Sequence, residues 1–262
     1  MISVLMVCCE KDNEIYLREA LESLSIQSMP AEDVLIVLNG PIPGAVSSVI
    51  ESFTDRLNIF TKRLDLNQGL AAALNVGLDL CKNDIIVRMD PDDICYPNRF
   101  QTQYLDMLAS DPDVICGSAD IINLHGDLVG ERILSGDLQL KNFKVTSPII
   151  HPSVMFKRSS VLAVGGYDEK MIKSQDWDLW IKILKNKGKI MCSSNKVMAF
   201  RFTESTIAKR KAEQIFNRAI LRRHFEFGPG MLFSYARSLG VQYMPIIIIK
   251  ILLILFRGFK NE

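Results

Sequence analysis

Uninterrupted apolar runs alternate with helically spaced apolar residues along the first half of the chain. The runs at 2–7 and 34–38 are mostly aliphatic and predict buried strands. Between them, apolar residues recur at helical spacing over 16–24, and Asp12 or Asn13 precedes this helix as a candidate N-cap. The alternation of strands and helices predicts an α/β protein, with a mostly parallel sheet covered by helices on both faces.

The same alternation continues further along the chain. Additional strands are predicted at 57–61, 85–87 and 114–123, and additional helices at 70–78 and 97–108. Residues 125–147 break the pattern, because Gly126, Gly130 and Gly136 interrupt it and no apolar period is sustained. We therefore expect a mobile loop over 125–147.

Polar residues follow three of the predicted strands at the point where each strand ends. They are Cys9-Glu10-Lys11 after the first strand, Asn39-Gly40 after the second and Asp90 to Asp93 after the strand at 85–87. In open parallel sheets, ligands bind beyond the carboxyl ends of the strands. The three polar groups are therefore predicted to share one site.

The acidic stretch Arg88-Met89-Asp90-Pro91-Asp92-Asp93 is the most informative of these groups. Its three carboxylates within four residues repel one another unless a cation lies between them. Oxygen ligands at this density suit a hard divalent ion, Mg²⁺ or Mn²⁺, shared with a substrate phosphate. The alternative is an ordinary turn, because Asp and Pro are common turn formers.

Composition narrows the function classes. The 31 Lys and Arg residues nearly balance the 30 Asp and Glu residues, so no overall field attracts nucleic acid, and no nucleic-acid partner is expected. The apolar start lacks a basic segment and a small-residue cleavage site, which favours a strand over a signal peptide. No C-x-x-C pair is present, so buried reduced thiols of a cytosolic protein are expected at positions 8, 9, 81, 95, 116 and 192.

The C-terminal part differs in character. Residues 206–227 combine Lys and Arg with interleaved apolar residues and predict a basic amphipathic helix. A second helical stretch is expected after Gly228-Pro229-Gly230. The run 245–256 is the most apolar of the chain, but its twelve residues are too short to span a bilayer. It is predicted to lie in the membrane interface, with Lys250, Arg257 and Lys260 reaching the headgroups; a core or dimer helix is the alternative.

Five motifs in order resemble the inverting family 2 glycosyltransferases with the GT-A fold, a Rossmann-like nucleotide-binding architecture. They are Asn39-Gly40-Pro41, the helix start Asn67-Gln68-Gly69-Leu70, Arg88 to Asp93, His151-Pro152-Ser153, and Gly165-Gly166-Tyr167 followed by Ser174-Gln175-Asp176-Trp177. The resemblance spans roughly residues 2–203. It is closest to bacterial enzymes that build O-antigen, capsule or exopolysaccharide units. It implies transfer of a sugar from a nucleotide-diphosphate donor to a saccharide acceptor.

The resemblance assigns the donor side of the site. Asp92 is expected to be the principal ligand of Mn²⁺ or Mg²⁺, with Asp90 towards the ribose or uridine and Asp93 in support. The other expected donor-binding residues are Glu10, Asn39, Asn67, Gly69 and Arg88. Relatives commonly carry an acid in place of Asn39, and an Asn carbonyl can still accept the imide N–H of uracil or thymine. This favours a UDP-sugar, with a dTDP-sugar next.

Asp176 is the expected catalytic base by the same resemblance. It would deprotonate the acceptor hydroxyl, and one base is enough for inversion. Family members usually have Glu where Gln175 stands, and the lost charge should make Asp176 easier to ionise. Asp178 is the alternative base, and a role for Ser174 or Asp176 as helix cap alone is a further possibility. His151, Gln175 and Trp177 are expected on the acceptor side.

The resemblance also implies an organisation and a location. A glycosyltransferase domain over 1–204 would be followed by a helical, membrane-associating tail over 205–262. A polyprenyl-diphosphate-linked acceptor would place the enzyme on the inner face of the cytoplasmic membrane. Two other functions are considered, a sugar nucleotidyltransferase and a non-catalytic scaffold that binds sugar nucleotides. This chain lacks the Gly-rich phosphate loop that a nucleotidyltransferase has after strand one. Retention of both Asp92 and Asp176 argues against a non-catalytic scaffold.

Overall fold

A computed structural model describes residues 1–202, 204–226, 228–245 and 248–249. The strands are β1 (Ile2–Cys8), β2 (Asp33–Asn39), β3 (Ile59–Leu64), β4 (Ile85–Met89), β5 (Ile94–Cys95), β6 (Val114–Ile122), β7 (Leu128–Arg132), β8 (Gly136–Leu138), β9 (Val154–Lys157) and β10 (Ile190–Arg201). The helices are α1 (Glu14–Ser25), α2 (Gly44–Glu51), α3 (Leu70–Leu80), α4 (Arg99–Ser110), α5 (Arg158–Ala163), α6 (Gln175–Lys185), α7 (Glu204–His224) and α8 (Pro229–Tyr243).

The strands form one mixed sheet in the order β3-β2-β1-β4-β9-β6-β10-β5, with β7 beside β6 and β8 beside β10. Strands β1 to β4 pair in parallel, and β6 pairs in parallel with β10. Because β9 is antiparallel to both β4 and β6, these two strands share one direction. The carboxyl ends of six strands therefore meet at one edge of the sheet, as the polar strand ends predicted.

Two apolar cores cover the two faces of the sheet. In β1, Leu5 belongs to one core while Val4 and Met6 belong to the other, as the twofold period of a strand requires. The first core includes residues of α3 and α6, and the second includes residues of α1, α2 and α4. Both faces are buried, which explains why β1 and β2 are continuous apolar runs rather than alternating ones. The predicted α/β class with a mostly parallel sheet is confirmed.

Most predicted elements are present within a few residues. Asn13 caps α1, because its Oδ1 accepts hydrogen bonds from the backbone N–H groups of Ile15 and Tyr16 at 2.8 and 3.4 Å. The short helices α2 and α5 were not predicted. The expectation of a mobile loop over 125–147 is wrong in that this stretch is not a loop throughout: it forms β7, β8 and a 3₁₀ turn at Leu140–Phe143. Edge pairing with β6 and β10 supplies the backbone hydrogen bonds of the two strands.

The expectation of six reduced thiols is wrong for one pair. Cys116 and Cys192 face each other in the register of β6 and β10, and their sulfurs are joined in a disulfide. Sequence spacing could not show this, because 76 residues separate the two. The remaining four cysteines are free thiols.

The C-terminal helices pack onto the sheet domain and onto each other. Ile220 and Leu221 of α7 are buried in the same core as residues of α6. Arg218 of α7 donates hydrogen bonds to Ser238 and Gln242 of α8 at 3.2 and 2.6 Å. The division at residue 204 therefore stays a prediction, because α7 shares a core with the domain before it.

Within the described ranges, no helix is long and apolar enough to cross a membrane. Of the apolar run predicted at 245–256, residues 246, 247 and 250–256 lie outside the described residues, as do Arg257 and Lys260. The prediction of an interfacial helix there is carried forward as a proposal.

Candidate active site

A cavity of about 1090 Å³ opens at the carboxyl edge of the sheet. Its lining includes Arg88 near the end of β4, Asp90 directly after that strand, Ile121 near the end of β6 and Phe200 of β10. The start of α6 contributes Gln175, Asp176 and Trp177. The fold therefore brings residues from distant parts of the sequence to one concave site.

The acidic loop after β4 gathers its three carboxylates as predicted. Ligand oxygens of Asp90, Asp92 and Asp93 lie within 4.8 Å of one another. Asp93 is completely buried, and its Oδ1 accepts a hydrogen bond from the backbone N–H of Arg201 at 2.9 Å. Among the residues that the structure describes, Asp93 Oδ2 has no hydrogen-bond partner. A buried carboxylate oxygen without such a partner, beside two further carboxylates, is a candidate ligand for a cation.

The electrostatics of the loop agree with this. Burial, together with the charges of Asp90 and Asp12, raises the pKa of Asp92 to about 6. Burial, with the charges of Asp92 and Asp90, also raises the pKa of Asp93 well above its usual range. A hard divalent cation would relieve this repulsion, and it prefers oxygen ligands. The residues present therefore fit Mg²⁺ or Mn²⁺.

Arg88 is the cation that the structure itself places at this loop. It is buried and forms an ion pair with Asp90. Its Nη1 has no hydrogen-bond partner in the described part of the chain. A buried guanidinium with a vacant donor, on the wall of the cavity, can bind an anionic oxygen of a ligand.

Two arginines that the sequence analysis missed hold the loop and its surroundings. Arg201 Nε donates to the carbonyl oxygen of Asp92 at 2.9 Å, and its Nη2 pairs with Glu19 at 2.5 Å. Arg99 Nη2 donates to the carbonyl oxygens of Arg88 and Pro152 at 2.9 and 2.7 Å. A single arginine within a helix or strand carries no motif, so only the fold reveals these roles.

Asp12 is a third residue that sequence reasoning did not place at the site. It was considered only as a helix cap, yet its charge raises the pKa of Asp92. Its Oδ2 accepts a hydrogen bond from the backbone N–H of Cys9 at 2.7 Å. Glu10 lies exposed in the same turn after β1. The turn thus brings one further carboxylate, that of Asp12, towards the loop.

The second and third strands end at a hydrogen-bonded polar corner. The buried Asn39 side chain donates to Asn67 Oδ1 and to the carbonyl oxygen of Gly69, both at 3.2 Å. Its Oδ1 accepts from the backbone N–H of Gln68 at 2.9 Å. Gly40 must be glycine, since its φ is +88° and a Cβ would lie 2.7 Å from the nitrogen of Asn67. Asn39 thus fixes the 67–69 turn, and its contact with a base stays a prediction.

Asp176 lies at the start of α6 and lines the cavity with Arg88 and Asp90. Ser174 takes the N-cap position in a left-handed conformation, with φ of 59°, but its side chain does not cap the helix. Instead, Ser174 Oγ donates to Asn217 Oδ1 at 2.7 Å. Burial raises the pKa of Asp176, an effect that the backbone N–H of Trp177 opposes by hydrogen bonding. That Asp176 ionises more easily beside Gln175 than it would beside a Glu stays a prediction.

Asp178 points to different surroundings. It is completely buried, and His224 Nε2 lies 2.6 Å from its Oδ1. Arg223 and Lys182 lie at 3.3 and 3.4 Å. Burial opposes its ionisation, but the hydrogen bond with His224 and the nearby cations lower the pKa of Asp178 overall. It joins α6 to α7 and is not part of the cavity lining, which includes Asp176.

The expected acceptor-side residues all line the cavity. His151 Nε2 lies 2.9 Å from the hydroxyl of Tyr167, and its ring packs edge-on against Trp180. Burial lowers the pKa of His151 well below its usual range, and the charge of Arg88 adds to this. The imidazole is therefore neutral. Trp177 Nε1 donates to the carbonyl oxygen of Phe143 at 3.2 Å, and this bond ties the 125–147 stretch to α6.

The sequence is similar to known glycosyltransferases. The model of the family described as "Glycosyl transferase family 2" matches residues 3–164. A UDP-Gal:alpha-D-GlcNAc-diphosphoundecaprenol beta-1,3-galactosyltransferase of Escherichia coli is 32% identical over 98% of this chain and 94% of its own length. The amylovoran biosynthesis glycosyltransferase AmsE of Erwinia amylovora is 28% identical over 96% of this chain and 97% of its own.

Comparison with solved structures agrees with the fold. The crystal structure of TarS from S. aureus matches with a TM-score of 0.66, covering 91% of this chain and 73% of the TarS chain. The same protein in complex with UDP matches equally, with a TM-score of 0.66. Sequence identity is 17% in both cases, so this likeness concerns the fold alone.

Proposed function

The chain belongs to the family 2 glycosyltransferases, and from that membership we propose that it transfers a sugar from a UDP-sugar to a lipid-linked saccharide. The reaction would invert the anomeric centre. The observation that carries the proposal is that Asp90, Arg88 and Asp176 line one cavity. A donor site and a base on the same cavity are what direct displacement requires, because nucleophile and leaving group lie on opposite sides of one carbon.

The donor side of the proposal rests on the acidic loop. Asp92, with Asp90 and Asp93, would hold Mn²⁺ or Mg²⁺, which when bound supplies a Lewis acid to the departing nucleoside diphosphate. Arg88 has a buried Nη1 that no described residue engages, and this group can donate to a diphosphate oxygen. Asn39, Asn67 and Gly69 form the corner at which the nucleoside would lie, and Glu10 lies in the turn beside it. The UDP preference draws on the relative that uses UDP-Gal and on the UDP-bound TarS structure.

The base in this proposal is Asp176. Its carboxylate would take the proton of the acceptor hydroxyl as that oxygen bonds to the anomeric carbon. The bond from this carbon to the diphosphate breaks in the same step, and the electron pair leaves with the nucleoside diphosphate. Asp178 is less suited, since its Oδ1 already pairs with His224 and Arg223. Gln175, Trp177 and the neutral His151 would shape the acceptor side of the cavity.

The acceptor and the location follow from the relatives. The Escherichia coli relative is named for an acceptor of GlcNAc linked to diphosphoundecaprenol, and AmsE for the biosynthesis of amylovoran. We therefore place the reaction in bacterial surface polysaccharide synthesis, on the inner face of the cytoplasmic membrane. The enzyme would be peripheral there, with the apolar stretch 245–256 and the basic α7 directed to the membrane.

A donor screen tests the proposal. Purified protein is incubated with UDP-, dTDP-, GDP- and CMP-sugars, Mn²⁺ and a panel of saccharide-diphosphate lipids, and release of the nucleotide is measured. We expect UDP release that depends on both metal and acceptor. A parallel incubation with UTP or dTTP and sugar 1-phosphates would release inorganic diphosphate if the protein were instead a nucleotidyltransferase. Binding of sugar nucleotide without turnover of any donor would identify a scaffold.

A further inference from the structure

The cavity that contains Asp176 is also lined by basic side chains that have no partner among the described residues. Among the residues that the structure describes, none forms a hydrogen bond or an ion pair with the side chain of Lys173, Lys211 or Arg237. All three line the cavity. Neighbouring arginines differ, since Arg218 bonds Ser238 and Gln242, and Arg222 bonds Tyr235.

The three cations come from separate elements that the fold brings together. Lys173 lies in the segment before α6, Lys211 in α7 and Arg237 in α8. Packing of α7 against α8 and of α6 against α7 fixes the three helices around the cavity. Cations that line one cavity repel one another, and a bound anion would lower that cost. They are therefore suited to an anionic group.

Acidic residues do not neutralise these cations. Glu131 and Glu213 also line this part of the cavity. Glu131, however, pairs with Lys196 at 2.7 Å. Arg132 adds a further positive charge to the lining, and it donates hydrogen bonds to the carbonyl oxygens of Ser147 and Pro148. Away from Arg88, Asp90 and Asp176, basic groups outnumber acidic ones.

Large apolar side chains accompany the basic ones. Ile133 follows Arg132 and is 52% exposed, and Ile172 precedes Lys173 and is 72% exposed. Both line the cavity, as do Val241 and Met244 of α8. Apolar and basic side chains next to each other suit a ligand that is anionic at one point and apolar beyond it. A free saccharide or a nucleotide has no such apolar part.

We propose that Lys173, Lys211 and Arg237 bind the diphosphate of the acceptor's lipid carrier, with Ile133 and Ile172 against the first part of the lipid chain. This inference rests on the proposed function and adds to it a second diphosphate site, separate from that of the donor. Lys173 lies three residues before Asp176, so a residue proposed to bind the diphosphate is close in sequence to the proposed base. The sugar between them would present its hydroxyl to Asp176 while its anomeric phosphate faces the cations.

Calorimetry with a short-chain alkyl diphosphate tests the site directly. The buffer contains a chelator, so that no divalent ion can link the probe to the Asp90–Asp93 loop. Lys211→Gln/Arg237→Gln is compared with the unmodified chain and with Lys62→Gln, which removes a positive charge at an exposed position of β3. Arg88→Gln is included because Arg88 is the cation of the proposed donor site and can hold an anion without metal. Circular dichroism melts show whether each variant is folded.

The expected result is that the double variant binds the alkyl diphosphate at least about tenfold more weakly, because two charge-assisted hydrogen bonds are lost. Lys62→Gln and Arg88→Gln should bind it as the unmodified chain does. Equal binding by the double variant overturns the proposal, as does no binding by the unmodified chain. Loss of binding in Arg88→Gln would place the probe in the donor site and overturn it too. Should the double variant unfold, Lys173→Gln is measured in its place.

Two further measurements separate this inference from the proposed function. UDP binding with Mn²⁺ is measured on the same proteins. If UDP does not bind, this result counts against the proposed donor but not against the proposed acceptor site. Sedimentation with vesicles of anionic phospholipid tests whether the cations bind membrane headgroups instead of the diphosphate of the lipid carrier. If the double variant loses vesicle binding but keeps its affinity for the alkyl diphosphate, the cations serve membrane headgroups and the proposal is wrong.

Discussion

The backbone N–H of Arg201 donates a hydrogen bond to Asp93 Oδ1 at 2.9 Å, across 108 residues of sequence. The guanidinium of the same residue donates to the carbonyl oxygen of Asp92 at 2.9 Å. Its Nη1 donates to the carbonyl oxygens of Asn123 and Leu124, and its guanidinium lies over the ring of Tyr16. One buried arginine thus joins the acidic loop to α1 and to the turn after β6. We infer that it positions the carboxylates that are proposed to bind the metal.

Replacing Arg201 by Met tests this role. The backbone bond to Asp93 stays, while the contacts with Asp92 and Glu19 are lost. We expect the Mn²⁺ concentration for half-maximal activity to rise about tenfold, because loss of one charged hydrogen bond costs about 1.5–3 kcal/mol. The acceptor KM should not change. Arg56→Met, which removes an exposed pair with Glu22 at 2.6 Å, is the control. Equal metal dependence in both variants would mean that Arg201 only supports the fold.

Removing Asp92 should abolish metal-dependent donor binding without unfolding the chain. The residue is one of three carboxylates whose oxygens lie within 4.8 Å, and the ion needs them as ligands. Calorimetry of UDP with and without Mn²⁺ on Asp92→Asn measures this directly. Asp55→Asn, an exposed acid on the surface, is the control. If Asp92→Asn keeps the metal-dependent gain in UDP affinity, Asp92 is not a principal ligand.

The same carboxylate makes the metal-free protein sensitive to pH. The pKa of Asp92 is raised to about 6 from an unfolded value of 3.8, so its charge is disfavoured in the fold. Stability present below the unfolded pKa is then lost as pH rises through the folded one. In a chelator, we expect the melting temperature to fall between about pH 4 and 6.5. The fall should be smaller for Asp92→Asn or with added Mn²⁺; identical curves for all three samples would refute this.

Asp176 and Asp178 should fail in different ways when each is changed to Asn. Asp176→Asn should keep UDP affinity and lose transfer by about two orders of magnitude or more, the scale of general-base removal. Asp178→Asn should keep measurable transfer but unfold more easily, by about 1–3 kcal/mol, since the cations around it lose their anion. Steady-state kinetics and thermal melts of both variants decide this. The reverse pattern would make Asp178 the base.

Motifs and apolar runs predicted the parts of this molecule that are local in sequence. The strands before Cys9, Asn39 and Asp90 were evident as apolar runs because both faces of the sheet are buried. The clustering of the Asp90–Asp93 carboxylates followed from their spacing alone. The edge strands β7 and β8 were missed, because their backbone pairs with β6 and β10 and their own pattern carries no period.

Contacts between distant residues were beyond reach for a different reason. Arg201 and Arg99 act through backbone carbonyls, which any sequence supplies, so neither has a recognisable partner. The Cys116–Cys192 pair depends on the register of β6 and β10, which is set by the whole sheet. The different surroundings of Asp176 and Asp178 could not be predicted either. They depend on the contact that His224 of α7 makes with Asp178 of α6.

The stretch at 250–262 carries the remaining prediction, that the chain is held at a membrane surface. Most of its apolar residues precede Arg257 and Lys260, and burying five or six of them at about 1.5–3 kcal/mol each would give firm attachment. A truncation after Ile249 retains Met244 and Ile249, which line the cavity. It should no longer sediment with anionic vesicles, yet it should still use a short-chain, water-soluble acceptor. Activity on acceptor embedded in vesicles should fall. If the truncated chain instead unfolds, or loses donor turnover on every acceptor, the stretch belongs to the folded core or to a subunit interface and not to a membrane anchor.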